Sequence, residues 1–358
     1  MRRLSILLFI LSLSFCAVAT AVGTKDTNHK NWFPIIYYTN ETSLAAGAGF
    51  MKGFDTAEKD GRKQRPNSFS AWAIVTLRKQ IILKAIPDLY FHGDQTNLRI
   101  DTSLSRVPAT FFGYGENTKR VGEDYDNQYV FAETVLVRRL WRHLRAGLRH
   151  DFLVSKITPS EEAELLTTNT IVGANGGRSS GLGLVVDWDN RNHTFWPTQG
   201  GIYRVSLNNY DTSIASDYEF SQAVIDLKHY FSPIPNHAIA WRLFSVLSKN
   251  TPPFYRMAML GGPKLNRGIY EGQFRDQHGL VSQLEYRLPL KARWGADFFA
   301  AIGEVSSQTK QLISSNMKWS VGAGLRYAVD PKHKMNLRVD LGFSAYGIAP
   351  IIYIDEAF

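Results

Sequence analysis

Apolar and polar residues alternate with period two in blocks of about ten along most of the chain, and helical periodicity is nearly absent. Two blocks near the C-terminus show the alternation most cleanly. From Asn316, one face reads Asn316, Lys318, Ser320, Gly322, Gly324, Arg326, and the other Met317, Trp319, Val321, Ala323, Leu325, Tyr327. From Asn336, Asn336, Arg338, Asp340, Gly342 and Ser344 alternate with Leu337, Val339, Leu341 and Phe343. A soluble sandwich and a membrane barrel would both use such ribbons, so alternation alone does not choose between them.

Three features favour the barrel. Blocks of 9 to 13 residues suit the roughly 9–11 tilted residues that cross a bilayer, and exceed the usual five or six of soluble strands. Aromatics such as Tyr90, Phe91, Tyr129, Phe131, Tyr230, Phe231, Trp319 and Tyr327 fall near block ends, where interfacial girdles lie. The polar faces carry Gly, Arg, Asp, Asn and Lys, as a wet lumen would. An open sheet edge cannot exist in hydrocarbon, so the sheet must close.

The blocks predict sixteen strands, at about 34–40, 42–54, 67–78, 80–91, 96–106, 125–139, 141–154, 179–190, 200–210, 217–231, 237–249, 278–289, 292–303, 316–329, 333–344 and 349–358, with fourteen as the alternative count. With the N-terminus in the periplasm, the long gaps at 107–124, 155–178, 250–277 and 304–315 lie outside. The short turns at 92–95, 232–236, 290–291 and 330–332 then lie inside, the arrangement of outer-membrane barrels. The charged segment 55–66 is long for an inner turn.

Composition narrows the class. A 44% hydrophobic content excludes disorder, and the single Cys16 excludes a disulfide framework. No stretch beyond the first 23 residues stays apolar for about 18 residues, which excludes a helical membrane protein. Arg2 and Arg3 precede an uncharged run from Leu4 to Val18 and small residues at Ala17, Ala19 and Ala21, the pattern of a secretory signal peptide. The expected organisation is therefore a signal peptide over 1–21, a short segment over 22–33 and one barrel domain over 34–358, placed in the outer membrane of a Gram-negative cell. Removing Arg2 and Arg3 lowers the net charge of +9 to 39 − 32 = +7.

Several segments together resemble the barrel of the BamA/TamA-like outer-membrane assembly superfamily, also called the bacterial surface antigen family. DWDNRNHTFWPTQGGIYRV (187–205) is similar to its D-x-R-D-N…P-x-x-G signature, and GGPKLNRGIYEGQFRDQ (261–277) to its sixth extracellular loop. LEYRLPL (284–290) is similar to the strand after that loop, VGAGLRY (321–327) to a strand near the end, and Phe358 to the terminal aromatic. The resemblance implies an all-β, transmembrane antiparallel barrel with an inward-folded long loop. It also implies a role in assembly or translocation of protein or lipid. Members usually carry periplasmic POTRA modules, for which the chain shows no segment; a separate periplasmic partner or a homodimer is the expected substitute. Ala301 stands where the family often has Asp, and Glu356 where an apolar residue is common.

Four residues define a candidate loop clasp. Arg267, flanked by Gly262 and Gly268, is expected to fold inward and pair with Glu285, which parity places on the inner face with Gln283 and Arg287. With Ala301 non-acidic, the clasp is expected to have one leg fewer than in the family. The barrel seam is expected to carry Pro34, Pro350 and Phe358, each proline removing one ladder donor. Such a poorly bonded seam would resemble the superfamily's lateral gate, and the last strand is expected to be read by the barrel-assembly machinery. Arg145, Arg149, Arg204 and Arg326 are candidate lumenal cations, and with them a passive or anion-preferring channel is the alternative function. The nine scattered histidines show no metal spacing. No enzyme activity, cofactor or metal is expected. Lipid and lipopolysaccharide phosphate, rather than nucleic acid, are the expected partners of the basic excess.

Overall fold

The computed structural model describes residues 30–54, 67–115, 118, 121–168, 170–194, 196–313, 316–330, 335–354 and 356–358. The expected signal peptide and the charged segment 55–66 lie outside the described residues. The first half of the chain forms β1 (Lys30–Thr39), β2 (Ser43–Phe54), β3 (Asn67–Thr76), β4 (Ile81–Phe91), β5 (Thr96–Phe111), β6 (Glu123–Trp141), β7 (Leu144–Pro159), β8 (Gly176–Asp189) and β9 (Gly200–Tyr210). The second half forms β10 (Phe220–Phe231), β11 (Ala238–Lys249), the two-residue β12 (Ala258–Met259) and β13 (Arg275–Asp276), then β14 (His278–Pro289), β15 (Trp294–Ser306), β16 (Lys318–Asp330), β17 (Met335–Ser344) and β18 (Gly347–Ile354).

Sixteen of these strands close into one antiparallel barrel, while β12 and β13 pair separately within the connection between β11 and β14. Neighbouring ladders are long. For example, β1 pairs with β2 from Lys30↔Lys52 to Thr39↔Ser43, and β14 with β15 from His278↔Ser306 to Pro289↔Gly295.

The side-chain distribution is inverted relative to a water-soluble fold. Arg267, Arg287, Arg326 and Arg338 are among the largest fully buried side chains, whereas Leu104, Leu184 and Phe298 are 57–59% exposed. An outer surface of Leu, Val and Phe around a charged interior fits a wall that lipid covers. On β16, Trp319, Val321 and Leu325 face outward while Ser320 and Arg326 are buried. Rings collect on the outer wall at the short-turn end: Trp32–Phe50 (5.0 Å between centroids), Trp141–Trp188 (5.9 Å) and Trp294–Tyr327 (5.0 Å).

Several strands run longer than the alternation predicts. β1 starts at Lys30, so 30–33 belongs to the wall rather than to a leading segment; Trp32 there pairs with Phe50. Likewise β5 continues to Phe111 and β6 begins at Glu123, because residues 107–111 ladder with 123–127. At that long-loop end, Phe111, Tyr125, Ile157, Leu166 and Phe254 form a small apolar core contributed by three strands and two connections. It caps one side of the mouth.

Candidate functional site

The segment between β12 and β13 enters the barrel and ends in a buried ion network. Arg267 donates from Nη1 to Asp340 Oδ2 at 2.7 Å and from Nη2 to Glu285, and Asp297 Oδ2 lies 3.7 Å away. Its guanidinium stacks on Phe299, with Cζ 3.5 Å from the ring centroid. The partners come from three strands: Glu285 from β14, Asp297 and Phe299 from β15, Asp340 from β17. Inward parity in each strand aims these side chains at one point.

Arg326 knits the acids together. Its Nη1 donates to both Asp297 and Asp340 at 2.7 Å, its Nη2 lies 3.4 Å from Glu285, and its Nε donates to Glu356 at 3.1 Å. Arg287 donates to Glu285 at 2.7 Å, and Arg338 to Asp340. Four arginines thus face four carboxylates, Glu285, Asp297, Asp340 and Glu356, and all eight side chains are at most 4% exposed. Burying charges is tolerable only with such mutual compensation.

Two glycines allow the approach. Gly268 has φ +118°, and a Cβ on it would sit 2.9 Å from the Phe343 backbone nitrogen. Across from it, a Cβ on Gly342 would lie 2.6 Å from the Arg267 carbonyl. The loop backbone therefore rests directly on β17, where Ser344 Oγ donates to the Gly268 carbonyl at 2.7 Å. Gly262, with φ +89°, turns the chain farther back, where a Cβ would meet the Glu271 side chain at 3.2 Å.

The expectation of a missing leg needs correction. Ala301 is buried and non-acidic, but Asp297, four residues earlier on the same inward face, and Asp340 on β17 supply carboxylates. Glu356, which stands where the family commonly has an apolar residue, points inward and accepts from Arg326 at 3.1 Å and from Asn336 Nδ2 at 3.0 Å. Parity placed Asp340 and Arg326 on inner faces. Only the register of β15, β16 and β17 brings them to Arg267.

The seam residues divide. Among the described residues, β1 and β18 pair at a single position, Tyr38↔Ile352, so the register sum is 390. By that register Pro34 faces position 356 and Pro350 faces Asn40, and neither proline falls on the seam pair. Both lie inside strands laddered on their other side, Pro34↔Ala48 and Pro350↔Leu341. Phe358 is not on the seam. It turns into the lumen, where its carbonyl accepts from Arg287 at 2.8 Å and it packs with Tyr230 and Ala240.

The lumenal cations are mostly neutralised. Arg149 is paired with Glu133 and Asp151, Arg204 with Asp187 at 3.3 Å, and Arg326 belongs to the network. Arg145 lies 6.0 Å from the Tyr90 ring centroid. Open space remains on the opposite side of the lumen: a cavity of about 440 Å³ lined by Ile82, Lys84, Tyr129, Phe131 and Leu153, and a smaller one of about 160 Å³ beside Arg149 and Arg204.

A lipid-facing closed barrel with a clasped internal loop defines an outer-membrane β-barrel protein. Residues 65–333 match the Omp85 superfamily domain, and the chain belongs to that superfamily. Its fold is similar to BamA from Haemophilus ducreyi lacking POTRA domains 1–3, at TM-score 0.61 and 14% identity, covering 92% of this chain and 70% of that one. It is similar also to CdiB from Acinetobacter baumannii (TM-score 0.56, 11% identity, 91% of this chain and 59% of that one). CdiB from Escherichia coli gives 0.58 and 10%, with 89% and 62% covered. The chain thus spans less than two thirds of either CdiB chain. No curated protein matches it.

Proposed function

We propose that the protein assembles or translocates protein or lipid at the outer membrane, by opening its wall at the β1–β18 seam. The carrying observation is that, among the described residues, the seam has one pair, Tyr38↔Ile352, in a barrel whose other ladders are long. A passive pore needs the reverse, a sealed wall and an open lumen. Here the wall is weakest where its chain ends meet, and the lumen holds a clasped loop. The similarity to BamA and CdiB barrels supports the reading at the level of the fold. It assigns no reaction, cofactor or metal. Partners follow from it: client segments at the seam, membrane lipid around the wall, and a periplasmic protein or second copy to deliver the client. The barrel-assembly machinery would read the last strand before Phe358 is buried.

A photoreactive residue at Tyr38 or Ile352 tests this in cells. Crosslinks to other envelope proteins or to lipid are expected, and a Tyr38→Cys/Ile352→Cys disulfide should abolish them. A locked seam with unchanged crosslinks, or no crosslinks beyond the chain itself, would overturn the proposal.

A further inference from the structure

At the short-turn end of β6–β8 the outer wall carries an unusual corner. Arg138 faces outward between Leu136 and Leu140, which are 43% and 62% exposed, so it sits on the lipid side of the wall. Its cross-strand neighbours are Thr96 and Ala146, both small. A register shift between Arg139 and Trp141 then sets Trp141 opposite Leu144, on the same outward face. Bulges of this kind re-aim side chains. The turn follows at once, with Arg142 held at φ +34°, a left-handed value that a long side chain adopts only when its surroundings impose it.

Arg142 lies over Trp141, 5.1 Å from the ring centroid. Trp141 packs on Trp188 at 5.9 Å, and His143 on Trp188 at 5.6 Å. Trp141 is 56% exposed. Neither Arg138 nor Arg142 forms an ion pair among the described residues. That contrasts with the interior, where arginine is matched by acids. A cation on the lipid face is tolerable near the interface only if it reaches a headgroup, and stacked tryptophans mark the same depth.

We infer that Arg138 and Arg142 form a binding site for the phosphate of an anionic glycerolipid in the adjoining leaflet, with Trp141 and Trp188 packing beneath on its glycerol and upper acyl segment. The occupant is a lipid rather than a soluble anion, because Arg138 lies between residues that hydrocarbon covers. The inference is independent of what the seam does.

The test is native mass spectrometry of the folded barrel released from micelles containing equal amounts of phosphatidylglycerol and phosphatidylcholine. The wild-type protein is expected to retain phosphatidylglycerol over phosphatidylcholine by on the order of tenfold. Arg138→Gln/Arg142→Gln should bring the ratio to about one, and a lysine pair should restore it in part. Lys291→Gln/Arg293→Gln removes the same charge from another turn on this rim and should leave the ratio unchanged. If the double variant does not fold, Arg138→Gln alone and Trp141→Ala carry the test, each lowering the ratio. An unchanged ratio in the folded glutamine variants, or an equal loss in the Lys291/Arg293 control, overturns the site. Displacement of the lipid by inorganic phosphate at the same concentration would show a free-anion site and overturn the lipid assignment.

Discussion

At the scale of the residue, the network asks what each charge is worth in place. Arg267 is 1% exposed, and Glu285 and Asp340 are at 0–1%. Removing one partner of a buried pair leaves an uncompensated charge and costs about 3–5 kcal/mol, against roughly 0–1 kcal/mol at a solvated surface. Arg267→Ala is therefore expected to lower unfolding stability by about 3–5 kcal/mol, read from urea titration in lipid vesicles and as earlier loss of the compact band on heated gels. Asp297 differs: its Oδ2 has no hydrogen-bond partner and lies 3.7 Å from Arg267. Asp297→Asn keeps the shape and both close contacts of Arg267, but neutralises the acceptor of the 2.7 Å bond from Arg326, so its cost should be about 1.5–3 kcal/mol, below that of Arg267→Ala. Equal losses for the two variants would mean that Asp340 and Glu285 do not dominate the grip. Arg267, Gly268 and Glu285 were legible in sequence, since a resemblance marked the loop and parity aimed Glu285. Asp340, 73 residues from Arg267, was not, because spacing along one chain says nothing about register across three strands.

At the scale of the element, the strands differ in how firmly each is tied. β1 ladders with β2 over its whole length but, among the described residues, meets β18 at one pair. β18 in turn is laddered to β17 from Leu337↔Ile354 to Ser344↔Gly347. Opening the seam breaks little, whereas opening any other junction breaks a full ladder. Hydrogen–deuterium exchange should therefore show the amides of 35–38 and 351–354 exchanging well before those of 281–286 or 320–326. Uniform protection around the barrel would count against a weak seam. The prolines hinted at this junction without locating it: their missing donors mark poor strand bonding, but only the register sum of 390 puts both off the pair. Phe358 was misplaced for a related reason. The alternation of β18 ends at Ile354, and nothing local reveals that Arg287 and Arg326 draw the following residues inward.

At the scale of the whole molecule, period-two patterning and strand length specified an all-β closed barrel of sixteen strands, because lipid on one side and water on the other impose one rule on every strand. What fills the interior obeys no period. Barrels of sixteen strands leave an aqueous channel when empty. Here the loop through Arg267, residues 356–358 and the apolar cap around Phe254 occupy much of that space. A cavity of about 440 Å³ remains beside Lys84, Tyr129 and Leu153. In planar bilayers the wild-type barrel should accordingly show small, flickering conductance. Arg267→Ala should add larger openings as the loop loses its hold on β14 and β17, with little anion preference because the lumenal arginines stay paired with acids. Stable large openings in the wild type, strongly selective for anions, would instead favour a channel, since they require a lumen that the clasp does not block and arginines that the carboxylates do not neutralise.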